Sequence, residues 1–187
     1  MKKIYYATGN KGKAGEAERM LGIDLEVADL ELDELQSMDL GVIVRHKVEQ
    51  AYEKLKAPVI VDDVSVEVEV WNGFPGPFIK FAHHAGGIPL LLYFLRNETN
   101  RNIKVICTLG YHDGEKVHVF SGVVPGIFTT EERGEKGWGL DPIILPDGQT
   151  QTFSEMDIAL KNRVSHRALA FEKLKKHLEG QKEDSKL

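Results

Sequence analysis

The sequence predicts an α/β fold, a mixed and elongated sheet flanked by helices and arranged as two lobes around a central cleft. Three observations predict it. Apolar strand-like runs alternate with segments striped at helical spacing, the order that places helices on the faces of a sheet. The dipeptide Asp113-Gly114 joins two strand-like runs as a tight hairpin does, so the sheet is mixed. A chain of 187 residues fits one domain, or two lobes about a cleft, and can bury roughly 70% of its extended-chain surface.

The elements follow in order. The chain enters a strand at 3–7, turns at Thr8-Gly9-Asn10-Lys11-Gly12-Lys13 and continues as a helix at 13–21. A strand at 24–30 precedes a long helix near 40–56, striped by Val44, Val48, Ala51, Tyr52 and Leu55 and capped by Asp39. Residues 58–70 read as a strand, apolar at Val59, Ile60 and Val61 and alternating from Val64 to Val70. NGFPGPFIKFAHHAGG runs into a buried helix at 88–96, with Pro89 near its first position. RNIKVICTLGYHD and EKVHVFSGVV are the hairpin strands, and a strand near 123–129 continues the ribbon. Thr152 and Glu155 have capping-box spacing for a short helix at 153–160. Ser165 is the natural N-cap of SHRALAFEKLKKHL, whose apolar positions include Leu169, Leu174 and Leu178. The end, EGQKEDSKL, is polar and frays, so residues 1–180 read as one domain and 181–187 as a flexible tail. The cleft is expected between the lobe holding both termini and the hairpin lobe.

Composition narrows the function. A hydrophobic content of 42% and a charged content of 28% describe an ordinary globular protein. A net charge of −5 argues against nonspecific nucleic-acid binding, which depends on phosphate neutralisation. A polyanionic ligand must then be captured by a local basic cleft. One cysteine, Cys107, excludes an internal disulfide and a cysteine-based zinc site. It alternates with Ile103, Val105 and Leu109, as a core thiol does. The N-terminus enters a strand at once, with no signal peptide. No apolar run approaches the ~20 residues that span a membrane. The cytoplasm is the default location.

Three segments carry chemistry. Residues 137–167 place an aromatic residue and a carboxylate on a glycine-rich turn, then Lys161, His166 and Arg167 at the mouth of a helix. Two bases in a first turn oppose the helix dipole by roughly 0.3–1 kcal/mol each, and an anion bound there reverses the sign. The alternative is two solvated surface bases. The turn at 8–13 repeats the device: small and amide residues let backbone N–H groups face a phosphate, and Lys13 supplies a point charge. It is neither a Walker A loop nor GxGxxG, and such strand–turn–helix units are common. The third segment is acidic. Asp62 and Asp63 interrupt a strand with side chains on opposite faces, so at most one enters a given cleft directly. With Glu34, on the loop LDELQ, one of them can hold Mg²⁺, which takes few carboxylates plus water and phosphate oxygens. Solubilising acid on an edge strand is the alternative.

TGNKGK, LDELQ, VIVDD, NGFPGP, GWGLDP and KNRVSHR, in this order from about residue 4 to residue 175, resemble the successive signatures of the inosine triphosphate pyrophosphatase family, the house-cleaning nucleotide pyrophosphatases. The resemblance implies hydrolysis of the purine nucleoside triphosphates ITP, dITP and XTP to monophosphate and pyrophosphate, with Mg²⁺, by a homodimer that uses the cleft for its nucleotide. Thr8, Asn10 and Lys13, in the turn shared with Gly9, Lys11 and Gly12, match the triphosphate-binding turn. Glu34 matches the metal-binding glutamate, and Lys47 a phosphate-contacting helix lysine. Asp63 matches the catalytic aspartate that activates water and helps bind metal. Trp138, Gly139, Leu140 and Asp141 match the base-binding turn. Lys161, His166 and Arg167 match the end that reads the purine and nearby phosphate groups. Mg²⁺ is then held by Glu34, Asp63 and phosphate oxygens, while Lys13, Lys47 and Arg167 stabilise shifting charge.

The sequence departs from that pattern in three places. Val64-Ser65 follows Asp63 where the family has a hydroxyl or small residue and then Gly or Cys, so a substrate-facing hydroxyl is lost at Val64. Trp138 replaces a Phe and can still stack, whereas Leu140 replaces an aromatic residue and cannot. His83-His84 stands where many relatives have Tyr-Ser-Ala-Arg. These changes leave open a non-catalytic nucleotide sensor and a pyrophosphatase for another modified nucleotide. Among the rest, neighbouring His83 and His84 cannot share one face as a metal pair. His112 and His118 flank the hairpin turn and read as solvated. Trp71 reads as packing, and Glu67 and Glu69 as a solvated strand face.

Overall fold

The computed structural model describes residues 3–184. In chain order its elements are β1 (Tyr5–Ala7), α1 (Lys11–Leu21), β2 (Glu26–Ala28), α2 (Leu40–Leu55), β3 (Val59–Val68), β4 (Pro75–Gly76), α3 (Ile79–Phe94), β5 (Asn102–His112), β6 (Val117–Phe128), β7 (Ile144–Pro146), α4 (Ile158–Val164) and α5 (His166–Asp184). The strands of the described residues form one sheet in the order β2-β1-β3-β5-β6-β7, with β4 beside β3. β1 runs parallel to β2 and β3, and β4 antiparallel to β3. β7 is antiparallel to β6. The sheet is mixed and carries helices, as the alternating pattern predicts.

The chain divides into two compact units. One comprises residues up to Asp63, Cys107–Gly122 and residues from Arg167 on; the other comprises Val64–Ile106 and Val123–His166. The hairpin turn therefore belongs with the first and last elements and not to an opposite lobe. The reason is in its contacts: the Tyr52 hydroxyl donates to the Gly114 carbonyl at 3.0 Å. His112 stacks on the Tyr52 ring, centroids 3.7 Å apart and 5° from parallel. His118 faces Asp113, Nε2 to Oδ2 2.6 Å, and lies 4.2 Å from the His177 ring. Neither hairpin histidine is a solvated residue.

In the first unit α2 lies on the sheet through the expected stripe. Val44, Val48 and Ala51 are fully buried with Ala7, Val59 and Val61. Burying each valine contributes roughly 1.5 kcal/mol or more. Asp39 caps the helix, its side chain accepting from the Gly41 and Val42 N–H groups. Gly110 of β5 makes the close approach possible, since a Cβ there would stand 2.8 Å from the Val44 carbonyl oxygen. Cys107 is fully buried, and burial pushes its thiol up to about 12. It is a core residue and not a nucleophile.

In the second unit the helical segment starts earlier than periodicity predicts. α3 begins at Ile79 and kinks at Gly87, whose φ of 64° and ψ of −155° are non-helical. Only the half beyond the kink carries the apolar run that makes a helix legible, and Pro89 sits at its start. The capping box forms, with Thr152 N–H donating to Glu155 Oε2 at 2.8 Å and Glu155 N–H to Thr152 Oγ1 at 3.3 Å. It closes a turn instead of opening a helix. α4 starts at Ile158 under its own N-cap, Asp157, which accepts from Leu160 N–H at 2.7 Å. β6 is a single long strand that takes in EKVHVFSGVV from Val117 and most of the segment near 123–129 that continues the ribbon. Residues 179–184 continue α5 instead of fraying, and 185–187 lie outside the described residues.

Candidate active site

The first unit holds the β1–α1 turn and the two aspartates of β3. Asn10 is the N-cap of α1, and its Oδ1 accepts from the Gly12 and Lys13 N–H groups at 2.9 and 3.2 Å. Thr8 Oγ1 accepts from Asn10 N–H at 3.1 Å. Thr8 and Asn10 thus shape the turn and occupy N–H groups that the sequence left for phosphate. Gly9 is an exposed turn residue, Gly12 enters this cap through its backbone N–H, and the side chain of Lys11 lies outside what the structure describes. Lys13 leaves the first helical turn and reaches β3.

Pleating sends Asp62 and Asp63 to opposite faces, and the two meet different fates. Asp62 is 3% exposed. Its Oδ1 accepts from the Tyr6 hydroxyl at 2.7 Å and from Lys13 Nζ at 3.0 Å. Its Oδ2 lies 2.9 Å from Lys13 Nζ and 3.3 Å from an Arg167 nitrogen. Arg167 also donates to Glu16 at 3.0 Å. Burial pushes the Asp62 carboxyl up, but Lys13, Arg167 and the Tyr6 hydroxyl outweigh it and hold the group well below the usual carboxylate range. Burial, reinforced by the Asp62 charge, raises the Tyr6 phenol well above its ordinary value, so the hydroxyl is a neutral donor.

Asp63 keeps a side chain 26% exposed, and Lys47 from α2 meets its Oδ2 at 2.9 Å. The fold brings these two candidate residues together. Arg167 is placed otherwise: at 2% exposure its guanidinium meets two carboxylates of the protein. The anion expected at the start of α5 is supplied from within, by Asp62 and Glu16. Tyr6 and Glu16 were absent from the sequence reading, because a strand tyrosine and a helix glutamate have no signature until the sheet brings them to Asp62. Glu34 is exposed on the loop before α2.

The second unit holds the glycine-rich turn. Asp141 is 6% exposed, and its Oδ2 accepts from Trp138 N–H at 2.9 Å and from Lys161 Nζ at 2.7 Å. The same ammonium lies 5.9 Å from the centre of the Trp138 ring, which is 38% exposed. Gly137 has φ 78°, and a Cβ there would overlap the Asp141 carboxylate, so only glycine fits. Leu140 is 9% exposed and packs inward. His166 is buried, its ring 5.9 Å from that of Phe153. Val64 is half-buried on β3.

Two carboxylates are of the type that Mg²⁺ takes. Asp63 is a partly open strand carboxylate and Glu34 an exposed loop carboxylate. Among the described residues no three His, Cys, Asp or Glu side chains stand together as a metal cage. Mg²⁺ takes one or two carboxylates and completes its shell with water and phosphate oxygens.

Comparison with known proteins follows the same outline. The dITP/XTP pyrophosphatase of Methanopyrus kandleri is 39% identical over 175 residues, covering 91% of this chain and 93% of that protein. That of Saccharolobus solfataricus is 37% identical over 181 residues, covering 95% and 94%. Among solved structures, the Ham1 protein of Staphylococcus aureus superposes with a TM-score of 0.83 at 30% identity, covering 96% of this chain and all of that one. The Ham1 family model matches residues 4–177, and the chain belongs to the Ham1 family.

Proposed function

We propose that the chain is an Mg²⁺-dependent nucleoside triphosphate pyrophosphatase that hydrolyses dITP, XTP and ITP to the monophosphate and pyrophosphate. The observation that carries this reading is the Lys47–Asp63 pair. It sets a partly exposed carboxylate beside a cation on a strand whose neighbouring residue, Asp62, holds Lys13. Asp63 orients the attacking water and accepts its proton. The water oxygen bonds to the α-phosphorus as the bond to the pyrophosphate oxygen breaks. Lys13 and Lys47 lower the cost of charge moving onto that leaving group. Glu34 and Asp63 would hold Mg²⁺, which when bound neutralises phosphate oxygens.

The indole of Trp138 stacks on the purine, and the Lys161 ammonium, fixed by Asp141, marks the polar edge of the base. A 6-oxo group accepts from such donors. A 6-amino group leaves them unpaired, a difference that polar sites turn into strong rejection. The relatives named for dITP and XTP support this substrate class.

A homodimer and a cytoplasmic location complete the proposal. The substrates belong to the free nucleotide pool, and no described helix is long and apolar enough to cross a membrane. The test is pyrophosphate release from a panel of dITP, XTP, ITP, dATP and dGTP with and without Mg²⁺. The first three should turn over, and only with the metal. Binding without release would make the chain a sensor. Release mainly from the last two would overturn the base assignment. Light scattering during gel filtration reads the dimer.

A further inference from the structure

The proposed reaction uses Asp63 and leaves Asp62 without a task, yet Asp62 is the most heavily engaged carboxylate of the first unit. It is buried while its partner Lys13 keeps a side chain 18% exposed. The solvent-facing member of the pair is therefore the lysine and not the carboxylate. An ammonium has three protons. Asp62 takes Lys13 through both oxygens, at 3.0 and 2.9 Å, from one side. Asp62 takes at most two of those protons, so donor capacity remains for a further acceptor. A free lysine side chain carries rotamer entropy, which a phosphate contact would otherwise have to offset. Tyr6, at 2.7 Å, and Arg167, at 3.3 Å, hold the carboxylate itself in place.

We propose that Asp62 is a positioning residue, a buried anionic tether that aims Lys13 at the phosphates of the substrate and is itself braced by Tyr6 and Arg167. This rests on the assignment of Lys13 to phosphate. It gives the paired aspartates separate work: Asp63 serves the water, and Asp62 serves the cation. Asp62 is neither a metal ligand nor a base, because its two oxygens are already engaged by Tyr6, Lys13 and Arg167.

The test is a double-mutant cycle on the intact chain, read as affinity for inorganic tripolyphosphate by titration calorimetry, without turnover. Lys13→Ala should weaken binding at least ~10-fold. Asp62→Asn should weaken it by a similar factor, and by less than ~2-fold in the Lys13→Ala background, because its effect passes through Lys13. A merely structural role predicts equal losses in both backgrounds, and that result overturns the inference. Tighter binding by Asp62→Asn overturns it too, since Asp62 would then only dilute positive charge. Should Asp62→Asn fail to fold, Tyr6→Phe removes one brace. It should weaken binding ~2–5-fold, again only when Lys13 is present. Equal losses with and without Lys13, or none, overturn the inference. If tripolyphosphate binds wild type but Lys13→Ala is unchanged, the phosphate role of Lys13 falls and this inference with it. If Lys13 matters and neither Asp62 nor Tyr6 does, only this inference falls.

Discussion

The Asp62 cluster of the first unit and the glycine-rich turn of the second are built by opposite rules. At the first, Asp62 gathers Lys13, Tyr6 and Arg167 from positions 49, 56 and 105 residues away. At the second, the Asp141 carboxylate takes the backbone N–H of a residue three positions back and the ammonium of Lys161, 20 positions on. The first is a buried charge network that exists only in the folded sheet. The second is a turn that local chemistry makes, stiffened by glycine. A buried network is costly to break at one member, because the others stay charged in a low-dielectric surrounding. A half-exposed ring is cheap to remove and matters when ligand arrives.

Substitutions at four positions can break or sharpen that contrast. The largest effect should come from Arg167→Ala, which leaves Asp62 and Glu16 short of a cation. Urea unfolding should show a loss of about 3–5 kcal/mol. A loss below ~1 kcal/mol would mean that the network relaxes as readily as a surface pair, and the contrast would fail. Asp63→Asn comes next: kcat for dITP should drop at least ~10²-fold while the unfolding midpoint barely moves, since Asp63 keeps contact with solvent. Retention of half the wild-type kcat would remove it from the chemistry.

Trp138→Ala should raise KM for ITP ~10-fold and abolish any quench of tryptophan fluorescence on binding, with stability almost unchanged. Trp138→Phe should be nearly neutral in kinetics. Unchanged kinetics in the alanine variant would place the base elsewhere. The smallest effect concerns neither end. Burial and the neighbouring His118 hold His177 below its ordinary value of 6.5, with Asp113 opposing. The unfolded chain therefore binds the proton more readily near neutrality, so this contribution is complete above pH 6.5 and is lost as pH falls through the lowered folded value. Asp113, itself held below the usual carboxylate range, titrates at still lower pH. His177→Gln should flatten the fall in Tm as pH drops below about 6.5. An equally steep fall in the variant would assign it to other histidines.

What could be read in advance follows the same division. The cap at Asp39, the stripe of α2, the Asp113-Gly114 hairpin and the Gly137–Asp141 turn are all visible, because each depends on residues within about four positions. The capping box at Thr152 and Glu155 was legible as a bond pattern and misleading as a helix start. The same reciprocal bonds close a turn when Asp157 offers a better start for the helix. The first half of α3 stayed hidden because Gly86-Gly87 interrupts its apolar period.

The sequence by itself determined the α/β class, the family motifs and the residues able to carry charge. Those are properties of spacing and side-chain type. Tertiary structure alone decided which charges remain available. It gave Arg167 to Glu16 and Asp62, turned Leu140 into the core and left Asp63 open beside Lys47. It also set the hairpin histidines against Tyr52, Asp113 and His177. Pairings of this kind depend on which residues the sheet order and the helix directions bring within 3 or 4 Å, and spacing along the chain carries no record of that distance.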